Sequence, residues 1–259
     1  MITKQQQSQR AYTLRPDLPI PNEKLISDIP SPGIVQNELI LTKDFPPNIW
    51  NQGETNSCTA QSICALYYYL NKGIDTSRLF QYYNERLLMN IVSQDVGVSL
   101  RDSMNALFTY GICAEDLWPF DIPNLTIKPT DACYTSASLG SIQSASKFNT
   151  TNPSFVTQIK NALSLGLGVM IGIVVYPSME SEATAVTGII PMPNEATEQP
   201  IGGHALPLEG YSDKYSGFFF RNSWGSDWGQ RGNGVIPYAY LEKYCISAWM
   251  LSNKEVGVY

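Results

Sequence analysis

The feature that most constrains the fold is a change of periodicity partway along the chain. Residues 58–70, CTAQSICALYYYL, contain neither Gly nor Pro and are apolar on most faces, which predicts a buried helix capped by Ser57. A second helix is expected over residues 77–90, where Leu79, Tyr82, Tyr83, Arg86 and Leu87 recur at helical spacing. A third spans residues 99–110, with Ser99 as its cap and Gly111 as its stop. A fourth spans residues 153–165, with Pro153 in its first turn and Gly166 at its end. Strand-like runs then take over at residues 169–176, 205–211, 217–221 and 234–238. Helices first and strands later imply an α+β protein with a helical lobe over about 45–140 and a β-rich lobe over about 141–259.

Three segments stand outside this pattern. Residues 1–44 are polar, carry Pro16, Pro19, Pro21, Pro30 and Pro32, and read as an extended leader. Proline favours extended backbone, which a groove between two lobes accepts, so part of the leader is expected to lie across such a groove and limit access to it. Residues 118–134 carry Pro119, Pro123 and Pro129 and read as an irregular connector. Residues 179–198 read as a loop between strands, either solvated or bordering a cleft.

Composition removes several function classes. The net charge of −6, with no dense Lys/Arg run, argues against nucleic-acid binding. The longest apolar stretch, residues 165–175, is Gly-rich and about half a bilayer span, so it reads as a buried strand rather than a membrane segment. The N-terminus has no apolar core and reads as carrying no secretory signal. A monomer located in the cytoplasm or in a virion is the expectation. With no CxxC pair and a single histidine, neither a metal site nor any other cofactor is expected. The five cysteines are odd in number, so at least one thiol is unpaired unless a bridge forms between chains. A Cys113–Cys133 bridge is open on sequence grounds.

The chemistry sits in three short segments. The first, Asn51-Gln52-Gly53-Glu54-Thr55-Asn56-Ser57-Cys58, puts a thiol at a predicted helix start. There the unpaired N–H groups and the macrodipole favour a thiolate. The second is Gly202-Gly203-His204-Ala205, holding the sole histidine, and the third is Arg221-Asn222-Ser223-Trp224-Gly225. His204 is the one imidazole able to pair with Cys58, and a resting thiolate–imidazolium pair is expected. Asn222 can fix the imidazole by accepting its other N–H. The Gln52 amide and the Cys58 backbone N–H are suited to hold an oxyanion.

These blocks resemble the papain family of cysteine peptidases, and most closely its bacterial and viral type. The match rests on Gln52-Gly53 with Ser57-Cys58, on Gly203-His204-Ala205, and on Asn222-Ser223-Trp224-Gly225 with Trp228-Gly229. His204 follows Cys58 by 146 residues (204 − 58), within the family's spacing of about 130–150. The resemblance covers about 45–250. It implies a two-lobed fold with a β-barrel-like right lobe and a cleft between the lobes. It also implies a Cys58–His204–Asn222 triad with Gln52 in the oxyanion hole, and a polypeptide substrate bound against Gly97, Gly203 and Trp224. Trp224 would shield the His–Asn bond and Trp228 would pack beneath it. The leader would stand in place of the family's longer inhibitory prodomain.

Three residues depart from the familiar motif. Thr55 replaces a cysteine, Asn56 a glycine and Thr59 a bulky aromatic. The function expected is a cysteine endopeptidase working through a covalent acyl-enzyme. The rival readings are a transglutaminase-like acyltransferase and a catalytically silent binding protein on the same fold.

Overall fold

The computed structural model of the chain describes residue 10 and residues 12–26, 28–33 and 36–254. Of the leader, residues 1–9, 11, 27, 34 and 35 lie outside the described residues, as do residues 255–259 of the β-rich lobe. Three helices build one lobe: α1 (Cys58–Leu70), α2 (Arg78–Leu88) and α3 (Leu100–Tyr110). They pack around Ile63, Leu66, Phe80, Met104 and Leu107. Their ends follow the local signals. Ser77 Oγ accepts from Phe80 N at 2.9 Å. Ser99 and Asp102 form a capping box at the start of α3. Gly111 ends that helix at φ 65°, with the backbone of Ser138 so close that a Cβ would meet its N at 2.7 Å. The α1 start is different. Ser57 makes no side-chain cap bond. Its Oγ instead meets Thr55 Oγ1 at 2.8 Å and Gln61 Nε2 at 3.3 Å.

The second lobe is one seven-stranded antiparallel sheet. Its strands are β1 (Glu38–Ile40), β2 (Ser144–Lys147), β3 (Gly168–Val175), β4 (Gly202–Ser212), β5 (Gly217–Arg221), β6 (Asn233–Pro237) and β7 (Cys245–Ser252). The order is β2-β7-β3-β4-β5-β6, with β1 also on β4. Strand β4 serves two neighbours in succession. Its first half pairs with β3, placing Ile173 opposite His204, and its second half pairs with β5 and β1. The sheet stays open rather than closing as the barrel-like expectation had it, because the outer edge of β6 is met by a bridge from Ile189 and not by β2.

Both faces of the central strands are covered. Val169, Ile171, Leu206 and Leu208 join the core of the sheet lobe with Ile159 of α5 (Phe155–Ser164) and with Phe218, Phe220 and Trp228. Met170, Ala205, Trp249 and Leu251 face the other way, into the core that contains α1. This double burial is why the strands read as continuous apolar runs rather than alternating ones. It also seats the N-terminus of α1 against β4.

The sequence reading missed β1, β2, β7 and three short helices: α4 (Asp131–Ser136), α6 (Glu182–Thr187) and α7 (Tyr238–Tyr244). Thus α6 lies inside the expected 179–198 loop, and α4 starts within the last residues of the expected connector. The leader is no loose tail where it is described. Leu14, Ile26 and Ile29 are buried, and residues 38–40 are a strand of the sheet. Among the described residues no helix is long and apolar enough to cross a membrane.

Candidate active site

Cys58 is the first residue of α1 and is almost fully buried. It packs in the same buried cluster as Ala205, the residue after His204. The fold therefore brings the helix-start thiol to the strand position that carries the only imidazole. His204 Nε2 and Asn222 Oδ1 are 3.0 Å apart. Asn222 Oδ1 also accepts from Ser223 N at 2.9 Å, which fixes the amide so that its oxygen faces the ring. The Trp224 ring stacks on His204 at 4.9 Å and 25°, and Trp228 stands edge-on to Trp224 at 5.3 Å. Both indoles are buried.

Gln52 is buried beside this group. Its Nε2 donates to Thr55 O at 2.7 Å, and its Oε1 accepts from Ser223 Oγ. One of its two amide hydrogens is thus committed to the turn and the other is left for the cleft. Thr55, at the expected cysteine position, bonds Gln52 O and Ser57 Oγ and so braces the same turn. Thr59, at the aromatic position, donates to the buried carboxylate of Glu85 at 2.8 Å. All five cysteines are unbridged. Cys133 Sγ lies 3.3 Å from Thr130 Oγ1 and donates to Leu117 O at 3.7 Å.

The groove between the lobes holds the leader. Tyr12 to Arg15 form parallel bridges, Thr13 with Gly203 and Arg15 with Ser99. Gly203 N donates to Tyr12 O at 3.1 Å, Leu14 N to Gly203 O at 3.3 Å and Arg15 N to Val98 O at 3.3 Å. Gly97 N donates to Thr13 Oγ1 at 2.8 Å. A Cβ on Gly97 would stand 2.5 Å from Thr13 O, so only glycine admits the strand there. Asn56, at the expected glycine position, meets Thr13 Oγ1 through its own Oδ1. The Tyr12 ring stands edge-on to both His204 and Trp224, at 6.1 and 6.0 Å. Arg10 lies over Trp224, 4.1 Å from the ring centroid.

Burial sets the protonation of the centre. It pushes the Cys58 thiol up to about 12, with the Glu85 carboxylate acting in the same direction. It pushes His204 down to about 4, against the Asn222 hydrogen bond and with help from the Arg10 cation. Burial of both groups, with the Arg10 cation near the ring, thus works against the expected thiolate–imidazolium pair while the leader is seated.

Comparison with known proteins places this geometry. No family model matches the chain. A protein of Acanthamoeba polyphaga mimivirus described as an uncharacterized peptidase C1-like protein is 33% identical over 231 residues, covering 85% of this chain and 74% of that protein. The chain belongs to the papain-like cysteine peptidases. Among solved structures, xylellain, a cysteine protease from Xylella fastidiosa, superposes on this peptidase with a TM-score of 0.82 at 28% identity, covering 94% of this chain and 96% of that one. Digestive procathepsin L 3 from the larval midgut of Tenebrio molitor shares the fold with a TM-score of 0.70 at 13% identity, over 94% of this chain and 76% of that one. In this papain-like chain, Gly97, Gly203, His204 and Trp224 meet residues 10–15 of the leader in the groove, Asn222 joins them through His204, and Gln52 bonds the neighbouring Ser223. Sequence reasoning missed Arg10, Tyr12, Leu14 and Glu180, which meet at that groove from residues far apart along the chain. The proline content of the leader was the one signal for the first three.

Proposed function

We propose that this chain hydrolyses peptide bonds through Cys58, His204 and Asn222. Cys58 Sγ attacks the carbonyl carbon while its proton passes to His204, and the Gln52 amide and the Cys58 N–H receive the developing oxyanion. His204 then protonates the leaving amine. Water, deprotonated by His204, splits the acyl-enzyme to a carboxylic acid and regenerates the thiol. The uncapped first turn of α1 leaves its N–H groups to stabilise both the thiolate and the oxyanion. The observation that carries this reading is the 3.0 Å His204–Asn222 contact, roofed by Trp224, with Cys58 in one buried cluster with the adjacent residue Ala205.

The leader acts in this reading as a tethered occupant of the substrate groove. It pairs by backbone with both walls, as an extended peptide does, and the tether raises its effective concentration. Its departure readmits water to Cys58 and His204 and lets the ion pair form. A fluorogenic peptide assay with purified full-length chain tests the reading. Cys58→Ala abolishes hydrolysis, and Gln52→Ala lowers kcat by about 10²–10³-fold, as loss of one oxyanion donor does. A Gln52→Ala variant altered in KM alone would reassign Gln52 to binding. Full hydrolysis by the folded Cys58→Ala chain would end the proposal.

A further inference from the structure

The walls of the groove carry one charged feature that the hydrolytic chemistry does not use. Glu180 ends a 3-10 turn, Pro177–Glu180, that directly follows β3. Both oxygens of its carboxylate face Arg10 Nη1, at 3.3 and 3.0 Å. The same guanidinium lies on the Trp224 face. The side chains are only 10% and 15% exposed, so the pair is largely desolvated. Among the described residues Arg10 is the cation the structure gives Glu180.

The turn that holds Glu180 is braced independently of the leader. Met179 is fully buried. Ser178 N donates to Glu198 Oε2 at 2.7 Å, and Thr184 Oγ1 donates to Ser178 O at 2.9 Å. The carboxylate therefore keeps its place when the leader leaves. It is then a fixed, half-sheltered negative charge beside an aromatic face, with no other cation paired to it among the described residues. Burial raises the Glu180 pKa and Arg10 opposes that rise, so the carboxylate is best satisfied by a positive side chain.

We infer that Glu180 and the face of Trp224 form a subsite of the groove that selects a basic side chain of the substrate, arginine above all, with Arg10 of the leader as its internal occupant. The inference rests on the proposed peptidase activity. A planar guanidinium satisfies both walls at once, stacking on the indole while donating to the carboxylate. Along the leader, Arg10 sits at Trp224, Tyr12 at His204 and Leu14 at Gly203. The subsite therefore lies at the Trp224 end of the groove, on the far side of His204 from Leu14. A side-chain subsite of this kind works whichever way the substrate backbone runs.

The test is a set of peptides with one arginine, or its neutral isostere citrulline, scanned across the positions around the cleaved bond. The full-length chain and Glu180→Gln are compared by kcat/KM. Leader occupancy scales both substrates equally and cancels from the arginine-to-citrulline ratio. At one position the ratio is expected to reach about 10- to 100-fold, the range that hydrogen bonds to a charged group carry. It should fall below about threefold in Glu180→Gln. Equal gains for both peptides in Glu180→Gln, with a ratio near one throughout, would mean that Glu180 is a leader latch only and would overturn the inference. Binding of the same peptides to the Cys58→Ala chain, read by fluorescence anisotropy, gives the ratio without hydrolysis. Loss of hydrolysis with the binding ratio intact would sink the peptidase reading and not the subsite.

Discussion

At the residue scale the active centre is a pair of titratable groups whose charges depend on what covers them. His204 is depressed to about 4 with the leader seated. Opening passes the Cys58 proton to His204, so the pair takes no proton from solvent and lends the hold of the leader no pH dependence of its own. Alkylation of Cys58 in the full-length chain should therefore not quicken as pH is lowered from about 6.5 to about 4. A rate that rises across that window would contradict the internal transfer. Glu85 does couple stability to pH. Burial among Thr59, Gln81 and Ser103 raises it to about 7, so the stability it confers is complete below about 4.5 and is lost as pH rises through about 7. Glu85→Gln should flatten the dependence of Tm on pH between those limits. An unchanged slope would remove Glu85 from the account. Cys58, His204, Asn222 and Gln52 were legible because the mechanism demands those atoms near one another. Glu85 and Glu180 were not, because a carboxylate announces burial or a partner only once the fold has brought its neighbours to it.

At the element scale, the described leader is fastened by its charged groups. Asp17 accepts from Ser247 Oγ at 2.6 Å, Trp249 Nε1 at 2.9 Å and Arg101 N at 3.0 Å, and it pairs with Lys147 at 2.9 Å. One carboxylate thus joins the leader to the first turn of α3 and to strands β2 and β7. Burial opposes its charge, yet the hydrogen bonds hold its pKa below the usual value, so mild acid leaves this anchor ionised. Asp17→Ala should weaken the leader by about 1–3 kcal/mol. Hydrolysis of a neutral peptide should then rise by about tenfold or more. No rise in a variant of unchanged Tm would mean that Asp17 does not hold the leader over the groove. The long helices were legible from helical spacing and their Ser and Gly end signals, and β3 and β4 because burial on both faces leaves a nearly continuous apolar run. The sequence reading of β1, β2 and β7 failed for a different reason. Burial is partial in β1 and β2, serines interrupt the apolar run of the well-buried β7, and the pairing of all three depends on partners far along the chain, as with Glu38 opposite Ser212. A leader truncated at Leu41 would also remove β1, so single substitutions at Leu14 or Asp17 are the cleaner probes.

At the scale of the whole molecule, two lobes meet along β4, and the leader crosses the line where they meet. The order of elements announced two lobes. The path of the leader was less legible, because its prolines implied extended backbone without saying which wall it would join. Leu14 is the apolar plug of that path, buried against Leu100 and Gly172. Its replacement by a charge would desolvate that charge without a partner, which favours the open groove. The most direct measurement of the central claim is the rate at which a thiol-trapping epoxide modifies full-length chain and Leu14→Glu at pH 7, with the modified residue mapped by mass spectrometry. The account predicts modification at Cys58 and not at the buried Cys64, Cys113 or Cys133, at least about tenfold faster in Leu14→Glu. Modification at another cysteine, or equal rates in two equally folded proteins, would contradict it.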